Sequence, residues 1–454
     1  MLDGFRSFQT ARMSRRPMAR FLAATVALVV THLWLIAPVL QNGDGAVYAE
    51  QIENHELSIR TTHVGYMLLG IVANGILPFG TERNLNLMCL VFAAAGAVAA
   101  GAIAHRFGAS KGGSVLSALF VMGLQPYLRG AVLAEVDGVA AALILIAVAS
   151  WLHELRIVSG VAFGFAMLVT PLSALSVPII LVTHVGIKRG KSAIAGHARS
   201  LMVFGAAALG VYSPFVLNYW HDYWGGGRGL LHAPRQPWDV EAQILRTVHF
   251  FGANTLPWLW LSFLGGVLIA RLRGVVAGTL VAVTIAAVVG ERFLDVPVQL
   301  PQLCLLAVFA TLSIDKLSSV VWKIAAFVSL WLVAALPNYI SQRNEVVYKV
   351  QLARIYRAMA LQTPKLMVIG LGDSWIDGLQ FERLIYNRTK LGLGLDLRQF
   401  ANSSRSIARD RHDYALWFMS APIAGMMNPF ALHWRREPRS VLGHSYEVWL
   451  PMNH

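Results

Sequence analysis

The chain has 454 residues, of which 56% are hydrophobic and only 14% are Asp, Glu, Lys or Arg, whereas soluble globular domains carry about 25% charged residues. Together with a mean hydropathy of +0.55, this composition excludes a soluble enzyme, a disordered chain and a coiled coil, and it predicts a multi-pass membrane protein. In such a protein the formal net charge of +14 is first a signal of topology, and no nucleic-acid partner is expected.

Basic residues precede the first apolar run, and no small-residue cleavage site separates the two. Residues 1–20 are therefore predicted to be a cytoplasmic N-terminus followed by a retained helix. A helix that crosses a bilayer needs about 20 apolar residues. Apolar runs of this kind predict about 11 spans, at 21–41, 84–105, 113–128, 138–153, 157–170, 172–187, 198–218, 249–270, 274–290, 298–312 and 324–341. Cys89 and Cys304 both lie in such runs, so a disulfide is not expected.

One further apolar run, 63–79, decides the sidedness of every loop after it. If this run does not span, the basic groups at Arg106, Arg156, Lys188 to Arg199 and Lys316 lie on the cytoplasmic side, and most acids lie outside. If it spans, those basic groups move outside, against the preference for basic cytoplasmic loops. Residues 42–83 are therefore predicted to be one outer loop, whose apolar part lies along the membrane surface or dips into it.

The composition changes after residue 341. Residues 21–341 are predicted to form the transmembrane module, and residues 342–454 to form a small extracytoplasmic domain without a span. The run from Tyr348 to Leu361 has helical character, and the run from Pro364 to Gly370 is typical of a buried strand. The predicted fold class is an α-helical polytopic membrane protein with a small C-terminal α/β domain.

Acidic and aromatic residues in the first outer loop are the first candidates for chemistry. Asp44 follows the first predicted span by only a few residues, in Gly43-Asp44-Gly45. A carboxylate at the membrane surface could be the general base for an acceptor hydroxyl; the alternative is a solvated loop acid or a helix N-cap. His63, with Tyr66, lies where the loop turns into its apolar part, and position alone favours a structural role for this histidine.

A second group of candidates lies between two predicted spans, on the same side as Asp44. Glu135 and Asp137 diverge if one helix holds both, and they share a face if the segment is extended. Such a pair could hold a divalent metal or bind substrate hydroxyls, or it could be acids favoured by a helix start. Arg129 could bind a phosphate or anchor the chain at the interface.

The predicted outer loop 219–248 combines a glycine run, Gly225 to Gly227, with Arg228 and Arg235. Glycine-rich backbone beside arginines suits an anionic head group at a membrane surface. A flexible polar loop is the other interpretation. The histidines of this loop show no metal-ligand spacing with His63.

Five stretches resemble the GT-C superfamily of membrane glycosyltransferases, and within it the bacterial multi-pass family related to protein O-mannosyltransferases. The family's motifs are a Gly-Asp opening of the first outer loop, His-Pro-Pro-Gly-Tyr, Leu-Pro-Phe-Gly, Ala-Glu-Val-Tyr, and a Gly-Asp turn after a C-terminal strand. The stretches similar to them are Gly43-Asp44, Thr62-His63-Val64-Gly65-Tyr66, Leu77-Pro78-Phe79-Gly80, Ala134-Glu135-Val136-Asp137 and Gly372-Asp373.

The resemblance implies surface helices in the first outer loop and a polyprenyl-phosphate sugar as donor, used on the outer face of the bacterial inner membrane. Asp44 would be the catalytic base, and Glu135 would lie in the same catalytic cavity. The residues that would bind substrate are Tyr48, His63, Tyr66, Arg129, Asp137, Arg228 and Arg235. A protein or envelope-glycan hydroxyl would accept the sugar, with mannose as a guess, and no cofactor would be required, although a divalent metal is possible.

The predicted function is an inverting glycosyltransferase, and two alternatives stand beside it. A transporter or flippase would keep ionisable residues inside its spans and would often show repeated halves, whereas the acids here gather in outer loops. The other alternative is a scaffold that binds a lipid-linked substrate without catalysis.

Overall fold

The computed structural model describes residues 15–37, 43–55, 63–185, 191–218, 245, 299–362, 366–369, 415–418, 434–441 and 444–451. The predicted spans at 249–270 and 274–290 lie outside the described residues. So does the Gly372-Asp373 turn.

The described part of the membrane module is helical. Its helices, numbered in chain order, are α1 (Arg15–His32), α2 (Gly43–Glu53), α3 (Val64–Ile76), α4 (Thr81–Arg106), α5 (Lys111–Gly123), α6 (Gln125–Val132), α7 (Val136–Leu152), α8 (Arg156–Val169), α9 (Val177–Val185), α10 (Lys191–Asn218), α11 (Leu300–Asp315), α12 (Val320–Leu330) and α13 (Leu336–Gln362). Short 3-10 helices follow α1 (Leu33–Leu35) and α8 (Pro171–Ser176), and a π-helical turn (Trp331–Ala335) joins α12 to α13.

Three helical segments of the described chain are long and apolar enough to cross a membrane: Met18–Leu35, Thr81–Arg106 and Val320–Gln351. A fourth results if α5 and α6, bent by 73° at their junction, form one broken span. Helices α3, α7, α8 and α11 are apolar but shorter. The break at Pro171 separates α8 from α9, because this proline opens the 3-10 helix between them. The predicted helical polytopic membrane fold is confirmed.

Helix α4 is the centre of the bundle and packs against α1, α5, α7 and α11. Small residues on α4 allow the close approach, as is usual where lipid replaces water around the helices. A Cβ built on Gly96 would lie 2.6 Å from Cα of Ala142 on α7. The hydroxyl of Tyr127 donates to the carbonyl of Ala93 at 2.8 Å and holds α6 against the same stretch.

The two ends of α4 define the two ends of the bundle, named here the Thr81 end and the Arg106 end. At the Thr81 end, the Asn86 amide donates to the carbonyl of Ala37, just after the first span. At the Arg106 end, Arg106 Nε donates to the carbonyl of Leu152 at 3.1 Å, and Lys316 Nζ donates to Gly108. Arg106, Arg156 and Lys316, which the charge argument places together, therefore lie at one end.

Helix α3 begins and ends at the Thr81 end. His63, just before it, bonds to the carbonyl of Val169 at the end of α8, and Asn84 donates to the carbonyl of Leu77 just after it. Gly65 permits this contact, since a Cβ there would lie 2.8 Å from the backbone of Leu168. Because both ends of α3 make contacts at the Thr81 end, this helix of 13 residues lies across that end of the bundle.

The last helical segment leads out of the bundle into a sheet. Asn338 donates to the carbonyl of Gly123 at 2.9 Å, and Tyr339 meets Nε2 of His32 at 2.8 Å. Helix α13 then continues to Gln362, so the predicted boundary after residue 341 falls inside a helix. Four strands follow: β1 (Leu366–Ile369), β2 (Ala415–Phe418), β3 (Trp434–Val441) and β4 (His444–Pro451). Their order is β1-β2-β4-β3, with β1 and β2 parallel and the other pairs antiparallel.

Candidate functional site

Asp44 lies in the first turn of α2, at the Thr81 end. A carboxylate is favoured there by the helix dipole. Position 44 precedes Tyr48 by one turn, on the same face of the helix. Helix α2 packs on α3 and α4, because Gly70 leaves room for the Ile52 side chain. The helix start that bears Asp44 is thereby fixed beside the aromatic residues of α3.

Three of the predicted binding residues form one aromatic cluster. The Tyr48 ring lies 5.0 Å from the Tyr66 ring and 5.9 Å, edge-on, from the His63 ring. His63 Nδ1 is 2.7 Å from the carbonyl of Val169. Since a carbonyl only accepts, Nδ1 carries the proton, and Nε2 of a neutral imidazole is then an acceptor.

Tyr66 connects this cluster to the next part of the site. Its hydroxyl lies 3.4 Å from Sγ of Cys89, and that sulfur lies 3.8 Å from the carbonyl of Glu135. Burial first, and then the neighbouring Cys89, Tyr48 and Glu135, raise the pKa of Tyr66 well above its usual range. The phenol is therefore protonated at physiological pH. Cys89 is about 12 Å along α4 from Thr81, so the site reaches below the bundle end.

Arg129 and Glu135 form an ion pair in the same region, with Nε of the arginine 3.5 Å from Oε1 of the glutamate. The arginine side chain is 48% exposed and the glutamate side chain 24%. Nε takes only one of the five N–H groups of a guanidinium. The pair therefore leaves donors on the exposed side of Arg129 that can reach an anion.

Two glycines let the chain make this pair. Helix α6 ends at Val132, Leu133 and Glu135 are extended, and α7 begins at Val136. Gly130 and Gly138 touch where α6 and α7 cross: a Cβ on Gly138 would lie 2.6 Å from the carbonyl carbon of Gly130. The close crossing turns the chain back within a few residues and brings Glu135 to Arg129.

Glu135 and Asp137 belong to different local structures. Glu135 is the extended residue before α7, and Asp137 lies in its first turn. They share neither one helix nor one extended segment, so neither of the two predicted geometries occurs. Within the described ranges, no group of three or more His, Cys, Asp or Glu side chains is arranged to hold a metal ion.

The structure thus places seven predicted positions at the Thr81 end: Asp44, Tyr48, His63, Tyr66, Arg129, Glu135 and Asp137. Arg228 and Arg235 lie outside the described residues. Sequence reasoning missed Cys89, which touches both Tyr66 and Glu135, and it missed the Gly130–Gly138 contact. Glycines on either side of a helix break were the available signal for that contact.

No protein-family model matches the chain, and no curated protein sequence matches it. Solved structures do. ArnT from Cupriavidus metallidurans in the apo state aligns with a TM-score of 0.62 at 14% identity, over 96% of this chain and 98% of that one. The same protein bound to undecaprenyl phosphate aligns with a TM-score of 0.63 over the same shares.

The oligosaccharyltransferase of Archaeoglobus fulgidus aligns less well, with a TM-score of 0.49 at 13% identity over 80% of this chain and 61% of that one. The near-complete alignment with ArnT carries the conclusion. The chain has the fold of ArnT, and the described part of its membrane module is helical.

Proposed function

We propose that the protein is an inverting glycosyltransferase. It moves a sugar from a polyprenyl-phosphate donor to an acceptor hydroxyl, on the outer face of a bacterial inner membrane. The acceptor belongs to a protein or an envelope glycan, and mannose is the first sugar to test because of the sequence resemblance. One observation carries the proposal: in a chain with the fold of ArnT, the start of α2, the aromatic cluster and the Arg129–Glu135 pair meet at one end of the bundle.

The chemistry of such a donor matches these residues. The phosphate is held at the membrane surface by its lipid, and it leaves as a stabilised anion. The enzyme then needs a carboxylate to take the acceptor proton and cations to bind the phosphate. Asp44 is the proposed base, and Arg129 is the proposed phosphate ligand, with Arg228 and Arg235 as further candidates. Attack by the acceptor oxygen on the sugar carbon breaks the bond to phosphate and inverts that carbon.

Glu135, Asp137 and the aromatic cluster complete the proposed site. The ion pair with Arg129 engages Glu135, which favours Asp44 over Glu135 as the base. Tyr66, protonated and buried, and His63 shape the wall next to the start of α2. Asp137, at the start of α7, is proposed to bind sugar hydroxyls.

The position of the acids favours a transferase over a transporter. Transporters keep ionisable residues inside their spans. In the described helices α4, α7, α8 and α11, by contrast, the acids lie at or beside helix ends: Glu82, Glu135, Asp137, Glu154 and Asp315.

The test is sugar transfer in proteoliposomes with radiolabelled polyprenyl-phosphate mannose, followed by glucose and arabinose donors. Wild type is expected to release polyprenyl phosphate, and Asp44→Asn to lose at least about a hundred-fold in kcat, the usual effect of removing a general base. Glu53→Gln, an exposed acid at the other end of α2, is the matched control and is expected to retain activity. Tight donor binding by wild type without turnover of any donor would favour the scaffold. Uptake into vesicles would favour the transporter.

A further inference from the structure

A cluster of basic side chains at the Arg106 end has no part in the proposed reaction. It consists of His105, Arg106, His153, Arg156 and His197, and is named here the basic junction. These residues come from the end of α4, the end of α7, the start of α8 and the first turns of α10. His105 and Arg106 lie within electrostatic range of His153, and Arg156 lies within range of His197.

The end of α7 holds the two arginines of the junction in place. Arg106 Nε donates to the carbonyl of Leu152 at 3.1 Å, and Arg156 donates to the carbonyl of Trp151. The Arg156 guanidinium also lies 4.1 Å over the buried Trp151 ring. Each arginine uses one N–H group to donate to a carbonyl at the end of α7. A guanidinium has five, so each arginine keeps donors for a ligand.

The two arginines carry the positive charge of the junction, because burial and then the neighbouring arginines lower the pKa of His153 and His197. The described acids do not balance the charge of these arginines. Glu154 is the acid next to the junction and acts on Arg156. Asp315, at the end of α11, already accepts two hydrogen bonds from Ser110, at 2.7 Å each. The junction therefore attracts an anion.

An apolar surface begins where the basic junction ends. Ile157, Val158 and Val161 follow Arg156 on α8, and their side chains are 55%, 47% and 41% exposed. A soluble anion would contact only the basic side chains, whereas a phospholipid would contact both the basic side chains and the apolar surface. Its phosphate binds the cations, and its acyl chains cover the apolar strip.

We propose that the basic junction is a binding site for the head group of an anionic phospholipid, whose acyl chains lie along Ile157, Val158 and Val161. This site is distinct from the candidate transferase site, because α4, α7 and α8 each run between the two. It is independent of the proposed activity, since lipid binding here holds for a transferase, a scaffold or a transporter.

The test is lipid retention by the purified full chain, measured by native mass spectrometry after incubation with phosphatidylglycerol or phosphatidylcholine. Wild type is expected to retain phosphatidylglycerol preferentially. The double variant Arg106→Gln/Arg156→Gln is expected to bind phosphatidylglycerol roughly thirty-fold more weakly. Each arginine near a membrane surface strengthens the binding of an anionic lipid by about five-fold, and the two factors multiply. Arg20→Gln, which removes one exposed charge from α1, is the matched control and is expected to change little.

A single variant and a competition experiment complete the test. Arg106→Gln alone changes an exposed side chain and carries the same test if the double variant does not fold. Inorganic phosphate at matched concentration separates a phospholipid site from a site for any free anion. Equal retention of phosphatidylglycerol by wild type and the arginine variants would overturn the proposal, and so would full displacement of the lipid by phosphate.

Discussion

Arg129 and Glu135 face each other where α6 and α7 cross, with Nε of the arginine 3.5 Å from Oε1 of the glutamate. The side chains come from elements that run in different directions, and the pair is only partly exposed. It holds the guanidinium at one side and leaves its other N–H groups for an anion.

The first prediction concerns this pair. Glu135→Gln is expected to raise the KM for the polyprenyl-phosphate donor several-fold and to change kcat much less than Asp44→Asn does, because the arginine loses its orientation while the proposed base remains. Steady-state kinetics separate the two effects. In a double-mutant cycle on undecaprenyl-phosphate binding, Arg129→Gln and Glu135→Gln are expected to be non-additive, by about 0.2–1 kcal/mol for an exposed pair. Strict additivity would contradict the coupling.

The second prediction concerns the glycine contact beneath the pair. Gly138→Ala places a Cβ 2.6 Å from the carbonyl carbon of Gly130, so α6 and α7 must separate. Overpacking of this kind costs about 1–3 kcal/mol, and it moves Glu135 away from Arg129. We expect a lower unfolding temperature in detergent together with weaker donor binding.

Gly205→Ala is the matched control for that variant. Gly205 lies inside α10, and a Cβ there would meet nothing within 4 Å. Since alanine favours a helix over glycine by roughly 1 kcal/mol, the variant is expected to be neutral or slightly more stable. A Gly138→Ala variant as stable and active as Gly205→Ala would show that the helices can separate without loss.

The third prediction separates ring packing from hydroxyl chemistry at Tyr48. Its ring contacts both Tyr66 and His63 and is 5% exposed. Tyr48→Phe keeps these ring contacts, whereas Tyr48→Ala leaves a cavity beside the start of α2, at a cost of about 3–5 kcal/mol for a large aromatic side chain. Thermal unfolding is expected to fall strongly for alanine and little for phenylalanine. Donor binding that falls equally in both would instead assign the hydroxyl to substrate contact.

The fourth prediction concerns Asp315, at the end of α11 beyond the predicted span 298–312. Burial raises the pKa of this carboxyl, but the backbone N–H and hydroxyl of Ser110 and the charges of Lys323 and Lys316 outweigh it, so the pKa lies below its usual range. A lowered folded-state pKa stabilises the protein above the unfolded-state pKa of about 3.9, and the effect is lost as the pH falls through the folded-state value.

Asp315→Asn is therefore expected to unfold at a lower temperature than wild type at pH 7, with a difference that shrinks as the pH falls toward 4 and below. Thermal unfolding in detergent across this range measures it. Ser110→Ala removes one of the two donors to the carboxylate and also the N-cap of α5. The pH-dependent part of its effect is therefore expected to be smaller than that of Asp315→Asn, and the loss of the cap adds a part that does not change with pH. A difference that stays constant with pH would exclude the charge of Asp315 as the cause.

The positions of the described helices follow largely from apolar periodicity and charge. The run 63–79 was the uncertain element, and the distribution of basic loops predicted that it stays at one end. The structure places both ends of α3 there, through His63 and Asn84. Local signals also located β1, because a short apolar run after Pro364 has the length of a strand.

Other features depend on contacts between distant parts of the chain. Cys89 on α4 contacts both Tyr66 of α3 and the carbonyl of Glu135. No local sequence pattern predicts contacts between such distant parts of the chain. The geometry of Glu135 and Asp137 is set by where α7 begins, which the Gly130–Gly138 crossing decides. The continuation of the last helix to Gln362 was missed because its polar residues suggested a separate domain, while the backbone remains helical.

That continuous helix connects the membrane bundle directly to the C-terminal sheet. Helix α13 has 27 residues and is about 40 Å long, so a tilt of about 10° displaces its far end by about 7 Å. Its near end is fastened by Asn338 to Gly123, at the bend that leads to α6 and Arg129. A tilt of α13 would therefore move the sheet and strain the Asn338–Gly123 contact at the bend that leads to Arg129.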